Sequence, residues 1–187
     1  MVCRMTNLRY PELYSARLRL VSPAEASFDA ATKLAGDDAP LFINAAEDAH
    51  AVWWSLATLI GHWQLRGYGM FVLLDRQSDE VLGMAGPWFP AGWPEPEVSY
   101  HLTENARGRG LASEAVQCIL DWLFFDQKWD SVASLIEENN ETSIKLAQRL
   151  GARPEQLIDH KMLGKVRIWR HAPQPNAAWA DDKGPLQ

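Results

Sequence analysis

Apolar and polar positions alternate in "ARLRLV" (16–21), which predicts an amphipathic strand. The next segment, "SPAEASFDAATKLAGD", predicts a helix, with Ser22 as N-cap, Pro23 at the first helical position and Gly36 at its end. A second helix is predicted over 47–66. Trp53, Leu56, Ala57, Ile60 and Trp63 recur there at spacings of three and four and give it one apolar face. Two apolar runs then flank "RQSDE", a hairpin signal, and the loop "PAGWPEP" leads into a third strand, "EVSYHLT" (97–103). Residues 68–103 therefore read as an antiparallel meander. After them the period changes. Over 111–127, Ala112, Ala115, Ile119, Trp122 and Leu123 fall on one helical face and Glu114, Gln117 and Asp121 on the other. A strand follows at 130–138, then a short helix at 140–151 with Asn140 as N-cap and Gly151 as its close, then a pair of strands within 155–172.

Strand 97–103, helix 111–127 and strand 130–138 make a βαβ unit. It joins the meander to the terminal strand pair. The expected architecture is α/β (α+β): one domain, a mixed sheet, and helices packed on it. Residues 1–15 are read as an N-terminal extension, 16–172 as the domain, and the Pro/Ala/Asp-rich 173–187 as a disordered tail.

Bulk composition narrows the function. The chain has 187 residues, 47% hydrophobic and 22% charged, which suits one globular domain. A net charge of −6 and the absence of dense Lys/Arg runs disfavour nucleic-acid binding, where phosphate neutralisation dominates affinity. Nine tryptophans fill core volume or line an aromatic pocket. The two cysteines make neither a disulfide framework nor a metal motif, so no metal is expected, and Cys118 reads as a core thiol. No secretory signal and no run of about 18 apolar residues is visible, so no membrane partner and a cytoplasmic location are expected.

The candidate chemistry lies in "SYHLTENARGRGLASEA". Gly108 and Gly110 stand between a strand and a helix start, with Arg107 and Arg109 beside them. Unpaired amides at a helix N-terminus, cleared by glycines and helped by two cations, suit a phosphate. A dinucleotide fingerprint fits less well. Ser113 occupies its third glycine position, and too little chain remains for a doubly wound sheet. The loop also lacks the G-K-[ST] of a triphosphate site. Arg107-x-x-Gly110-x-Ala112 instead matches an R/Q-x-x-G-x-G/A signature, and "EVSYHL", "GRGLASEA" and "NETSIKLAQRLG" follow in order. In these residues the chain resembles the GNAT superfamily of N-acetyltransferases, and more narrowly its ribosomal-protein-alanine acetyltransferase branch. The resemblance covers roughly 16–170.

The resemblance implies acetyl-CoA as donor and a primary amine as acceptor, on a small molecule or a protein N-terminus. It implies that strands 97–103 and 130–138 splay to admit the pantetheine arm. Backbone at Leu102 and Thr103 would pair with the arm. Residues 107–112 (Arg107, Gly108, Arg109, Gly110, Leu111 and Ala112) would hold the diphosphate. Asn140 and Ser143 would lie beside the thiol, where Asn140 also serves as a helix cap. Glu97 matches the family's glutamate and is the leading base; burial would have to raise its carboxyl above the usual value of about 4.3, or water would relay the proton. A solvated strand-edge charge is its other reading. Strand alternation puts His101 on Glu97's face as a second candidate. Many family members carry a tyrosine acid where this chain has Ala147, so either Ser143 or water assists the thiolate, or the thiolate leaves unassisted, its thiol being acidic enough at about 8.5. Trp88, Phe89 and Trp93 could stack on the acceptor or pack down their loop. Monomer and homodimer both remain open. A CoA-binding module without turnover is the non-enzymatic alternative.

Overall fold

The computed structural model describes residues 10–26, 28–34 and 49–173. Eight strands form one sheet in the order β1-β2-β3-β4-β5-β6-β8-β7. β1 (Leu13–Tyr14) and β2 (Leu18–Val21) pair antiparallel, and β3 (Phe71–Asp75), β4 (Val81–Trp88) and β5 (Glu97–Leu102) continue as the expected meander. The turn between β3 and β4 closes on Asp75, whose carboxylate accepts from the Gln77 and Ser78 amides. β5 pairs in parallel with β6 (Val132–Glu137), and β6 pairs antiparallel with β8 (Gly164–His171), which carries β7 (Arg153–His160) at the edge.

Helices cover both faces. α3 (Leu111–Asp121) packs on the face that carries Leu18, Leu20, Phe71, Leu73, Val98 and Leu102. Its Leu111, Ala115, Val116, Ile119 and Leu120 are buried there, at the expected helical spacing. A π-helical turn at Trp122–Asp126 follows, which keeps Trp122 and Leu123 in the same core. α1 (Phe28–Leu34) and α2 (Ala49–Arg66) lie on the opposite face, over Val72, Met84 and Trp88. α4 (Glu141–Arg149) joins α3's face through Leu146 and packs Ala147 against Ile136 and Trp169. No helix among the described residues is long and apolar enough to cross a membrane.

Two expectations need correction. Ser22 caps a turn, not a helix: its Oγ accepts from the Ala24 amide and its carbonyl from Glu25 and Ala26, and α1 begins only at Phe28. A short hydroxyl side chain stabilises such local turns in competition with helix. The expected Gly36 stop, the start of the second helix at 47 and all but the first residue of the expected tail at 173–187 lie outside the described residues. In α2 the buried face is Val52, Ser55, Leu59, His62 and Trp63, one step round from the expected stripe, and Trp53 is 54% exposed. Hydrogen bonds decide this. Ser55 Oγ donates to Ala51 O, and both His62 ring nitrogens are satisfied inside, so polar residues enter while Trp53 faces out.

Candidate active site

β5 and β6 pair at Glu97 and Ala133 and then part. Ser134 Oγ holds the fork, donating to Val98 O at 3.0 Å and meeting His171 Nε2 at 3.1 Å. Because the single serine proton goes to Val98, His171 must be the donor in that contact, which places its proton on Nε2. Its Nδ1 is buried and has no hydrogen-bond partner among the described residues. Beyond the fork lies a cavity of about 160 Å³, lined by Glu97, Ser99, Tyr100, Ser134, Asn140 and Ser143 among others.

The peptide groups facing this gap follow from ladder alternation. Thr103 N donates to Leu82 O, so the odd-numbered peptides of β5 face β4 and those of Val98, Tyr100 and Leu102 face the gap. Two of the backbone groups expected to pair with the arm are already engaged within the protein. Thr103's amide is spent on β4 and Leu102's carbonyl accepts from Arg107 Nε at 3.1 Å. The Tyr100 peptide and the Leu102 amide are the groups aimed inward.

Glu97 starts β5 and is 6% exposed, which excludes a solvated edge charge. Its Oε1 accepts from Trp93 Nε1 at 2.6 Å and its Oε2 from the Leu135 amide at 3.2 Å. Burial pushes its carboxyl above the ordinary range, while these two donors and the nearby His160 pull the other way. The sum is a stronger base than a surface glutamate. His101 stands opposite Met84 on Glu97's side of the strand and does not line the cavity.

Asn140 caps α4 by accepting from the Ser143 amide at 3.1 Å. Ser143 Oγ in turn lies 2.8 Å from the Tyr100 hydroxyl, a bridge across the cleft that the sequence did not reveal. Alternation places Tyr100 on the face opposite Glu97, so one strand delivers a carboxylate and a phenol to the same gap from two sides. Burial pushes the Tyr100 phenol up.

The aromatic candidates separate. Trp88 is buried and stacked on His62 with ring centroids 4.5 Å apart, so it belongs to the α2 core and does not present its ring to a ligand. Phe89 lies under Arg66 and donates its amide to His62 Nε2. Trp93 meets the cleft through its indole N–H to Glu97, with His160 edge-on at 5.0 Å.

The glycine loop forms as expected. A 3₁₀ turn at Glu104–Ala106 leads into Gly108 (φ 72°) and Gly110 (φ 76°), both left-handed. Gly110 is the N-cap of α3 and brings no side chain, so the Leu111, Ala112 and Ser113 amides keep their hydrogens for a ligand. Four arginines surround them. Arg107 and Arg109 belong to the loop. Arg17 binds Glu114 through Nε at 2.6 Å and Arg109 O through one terminal nitrogen at 3.0 Å, and Arg149 of α4 reaches Ser113 Oγ at 3.1 Å. Arg17 and Arg149 were invisible as site residues because only tertiary folding brings them to the loop. Cys118 is half-buried on α3, turned toward Tyr14 O, and burial pushes its thiol up to about 11.

Comparison with known proteins bears on this geometry. A model of the acetyltransferase (GNAT) domain family matches residues 17–153. An uncharacterized N-acetyltransferase, p20, of Bacillus licheniformis is 33% identical over 99 residues, covering 52% of this chain and 56% of that protein. The chain thus spans about 56% of the length of the curated relatives it matches. A Bordetella pertussis protein described as a GnaT-family acetyltransferase superposes with a TM-score of 0.73 at 27% identity, covering 87% of this chain and 100% of that one. A ribosomal L7/L12 α-N-protein acetyltransferase, solved with coenzyme A, shares the fold at a TM-score of 0.66 and 17% identity, over 87% and 98% of the two chains.

Proposed function

The chain belongs to the acetyltransferase (GNAT) domain family, and from that premise we propose that it transfers an acetyl group from acetyl-CoA directly to a primary amine. The observation that carries the reading is the continuity of two features. A helix N-terminus with no capping side chain, ringed by arginines, lies at one end of β5, and a forked cleft holding a buried carboxylate lies at the other.

The residues present fit acetyl-CoA. A diphosphate asks for amides and cations, which Leu111–Ser113, Arg107, Arg109 and the two recruited arginines provide. An extended amide-bearing arm asks for strand-like peptide partners, which Tyr100 and Leu102 offer. Acetyl-CoA supplies a thioester, whose carbonyl carbon is open to a neutral amine. Glu97 takes up the amine's proton, directly or through water. That help matters most for a lysine-type amine, where reaching the neutral form near pH 7 costs about 4–5 kcal/mol, against about 1 kcal/mol for an α-amine. Ser143, held by the α4 cap and the Tyr100 hydroxyl, assists on the sulfur side.

Transfer is direct in this reading, because the Cys118 thiol is too weak an acid to serve as an acyl carrier. The acceptor is a small-molecule amine or a protein N-terminus, and the protein works in the cytoplasm as a monomer or homodimer. An acceptor screen tests this. CoA release is followed with a thiol reagent across polyamines, amino acids, peptides and aminoglycosides. Amine-dependent release is expected with one class. Silence across all of them, with CoA bound, would make the protein a CoA-binding module without turnover.

A further inference from the structure

The cleft contains a pair of hydroxyls joined across it, Tyr100 from β5 and Ser143 from α4. Position 147, where a tyrosine acid is common in the wider family, is a buried alanine beside Ile136 and Trp169 that lines the cleft and brings no hydroxyl to it. A phenol nevertheless reaches the same helix from the opposite wall, as Tyr100 OH meets Ser143 Oγ at 2.8 Å.

One of the two hydroxyls donates in that contact, and the choice decides what Ser143 can do. If Ser143 donates to Tyr100, its only proton is spent. If Tyr100 donates, the Ser143 O–H turns to another acceptor, and it already lines the cleft. Asn140 does not compete, because its Oδ1 takes the Ser143 amide and not the hydroxyl. We propose that Tyr100 is a positioning residue: its hydroxyl donates to Ser143 Oγ and so turns the Ser143 O–H into the cleft as a donor to the departing sulfur. This rests on the acetyl-CoA reading above.

The electron and proton balance is simple. The amine nitrogen forms the new bond to the acyl carbon, the carbon–sulfur bond breaks, and sulfur keeps that electron pair. The amine's proton leaves to Glu97 or water. No proton is transferred along Tyr100 and Ser143. A phenol near 10 and an alcohol are weaker acids than a thiol near 8.5, so the pair stabilises a thiolate by hydrogen bonding instead of protonating it. The carboxylate and this donor pair act on opposite sides of the cleft, as their alternation on β5 requires.

The test is the ionisation of bound CoA. Thiolate ultraviolet absorbance is titrated against pH for the CoA complex, with the desulfo-CoA complex subtracted so that protein tyrosines cancel. Wild type, Tyr100→Phe, Ser143→Ala and the double variant are compared. Phenylalanine keeps the ring and removes only the hydroxyl. The expected result is a rise of about one unit in the bound thiol's pKa, roughly tenfold in ionisation constant, in Tyr100→Phe. The same rise is expected in Ser143→Ala, with no further rise in the double variant. In turnover, Tyr100→Phe should lower kcat and leave KM unchanged. A rise in Ser143→Ala with none in Tyr100→Phe, no rise in either, or loss of CoA binding in Tyr100→Phe overturns the proposal. Wild-type protein that gives no CoA signal at all fails the acetyl-CoA reading itself, and the positioning role falls with it.

Discussion

Acidification from about pH 7.5 to about pH 5 should cost the fold roughly 2 kcal/mol through His171 alone. This imidazole ends β8 opposite Val132, donates to Ser134 at the fork, and is 2% exposed, so solvent screening does not dilute the effect. Burial pulls its pKa down to about 4, and the neighbouring Arg170 charge adds to that. In the unfolded chain a histidine titrates near 6.5. Between these values the unfolded chain binds a proton that the folded one refuses. Stability is therefore full above about 6.5 and falls as the pH drops toward 4. At about pH 5 the loss spans about 1.5 units at 1.36 kcal/mol each, hence the figure above. His171→Phe removes the titration and also the buried Nδ1 that lacks a partner. At about pH 7.5 the variant should lie within about 1 kcal/mol of wild type, since one neutral hydrogen bond is lost. Urea unfolding of both proteins at the two pH values gives the difference, and groups common to both cancel. The gap should move by roughly 2 kcal/mol in the variant's favour on acidification. A gap that does not change with pH would refute the buried neutral imidazole.

Three further outcomes follow from the site. Gly110→Val places a branched side chain at φ 76°, and the left-handed backbone costs about 1–2 kcal/mol, or roughly 2–8 °C in Tm, while abolishing the Tm increase caused by acetyl-CoA; an unchanged ligand response would remove the loop from the binding site. Trp93→Phe withdraws the 2.6 Å donor from Glu97 Oε1, so the carboxyl's pKa rises further and the acidic limb of the kcat/KM profile moves to higher pH; a stationary limb would mean that Glu97 is not the base. Cys118, with its thiol pushed up to about 11, should carry no acetyl group by mass spectrometry after incubation with acetyl-CoA and no acceptor; a stable adduct there contradicts direct transfer.

Local signals explain what the sequence showed. The β5–α3–β6 unit, the left-handed glycines and the Asn140 cap each depend on residues close in the chain, so period and turn chemistry were enough to place them. The buried face of α2 is not legible from apolar spacing because His62 and Ser55 are polar, and only the Tyr68 carbonyl and the Phe89 amide explain why burial suits His62. For Trp88 the sequence leaves ligand stacking and packing both open, and the His62 ring stacked on it decides for packing. β1 is two residues long and carries too little pattern to detect. Strand alternation places Tyr100 on the face away from Glu97, and its partner Ser143 comes from a helix 43 residues later. Glu97 was recognised, but its two donors, Trp93 and Leu135, come from a loop and another strand.

The central claim, that the glycine loop and the fork together form an acetyl-CoA site, is tested most directly by thermal unfolding with alternative ligands. At about 100 times its dissociation constant a ligand adds roughly 2.7 kcal/mol, which for a chain of this size raises Tm by about 5–11 °C. That increase is predicted with acetyl-CoA, and no change is predicted with NAD(H). An increase with NAD(H) and none with acetyl-CoA would contradict the account.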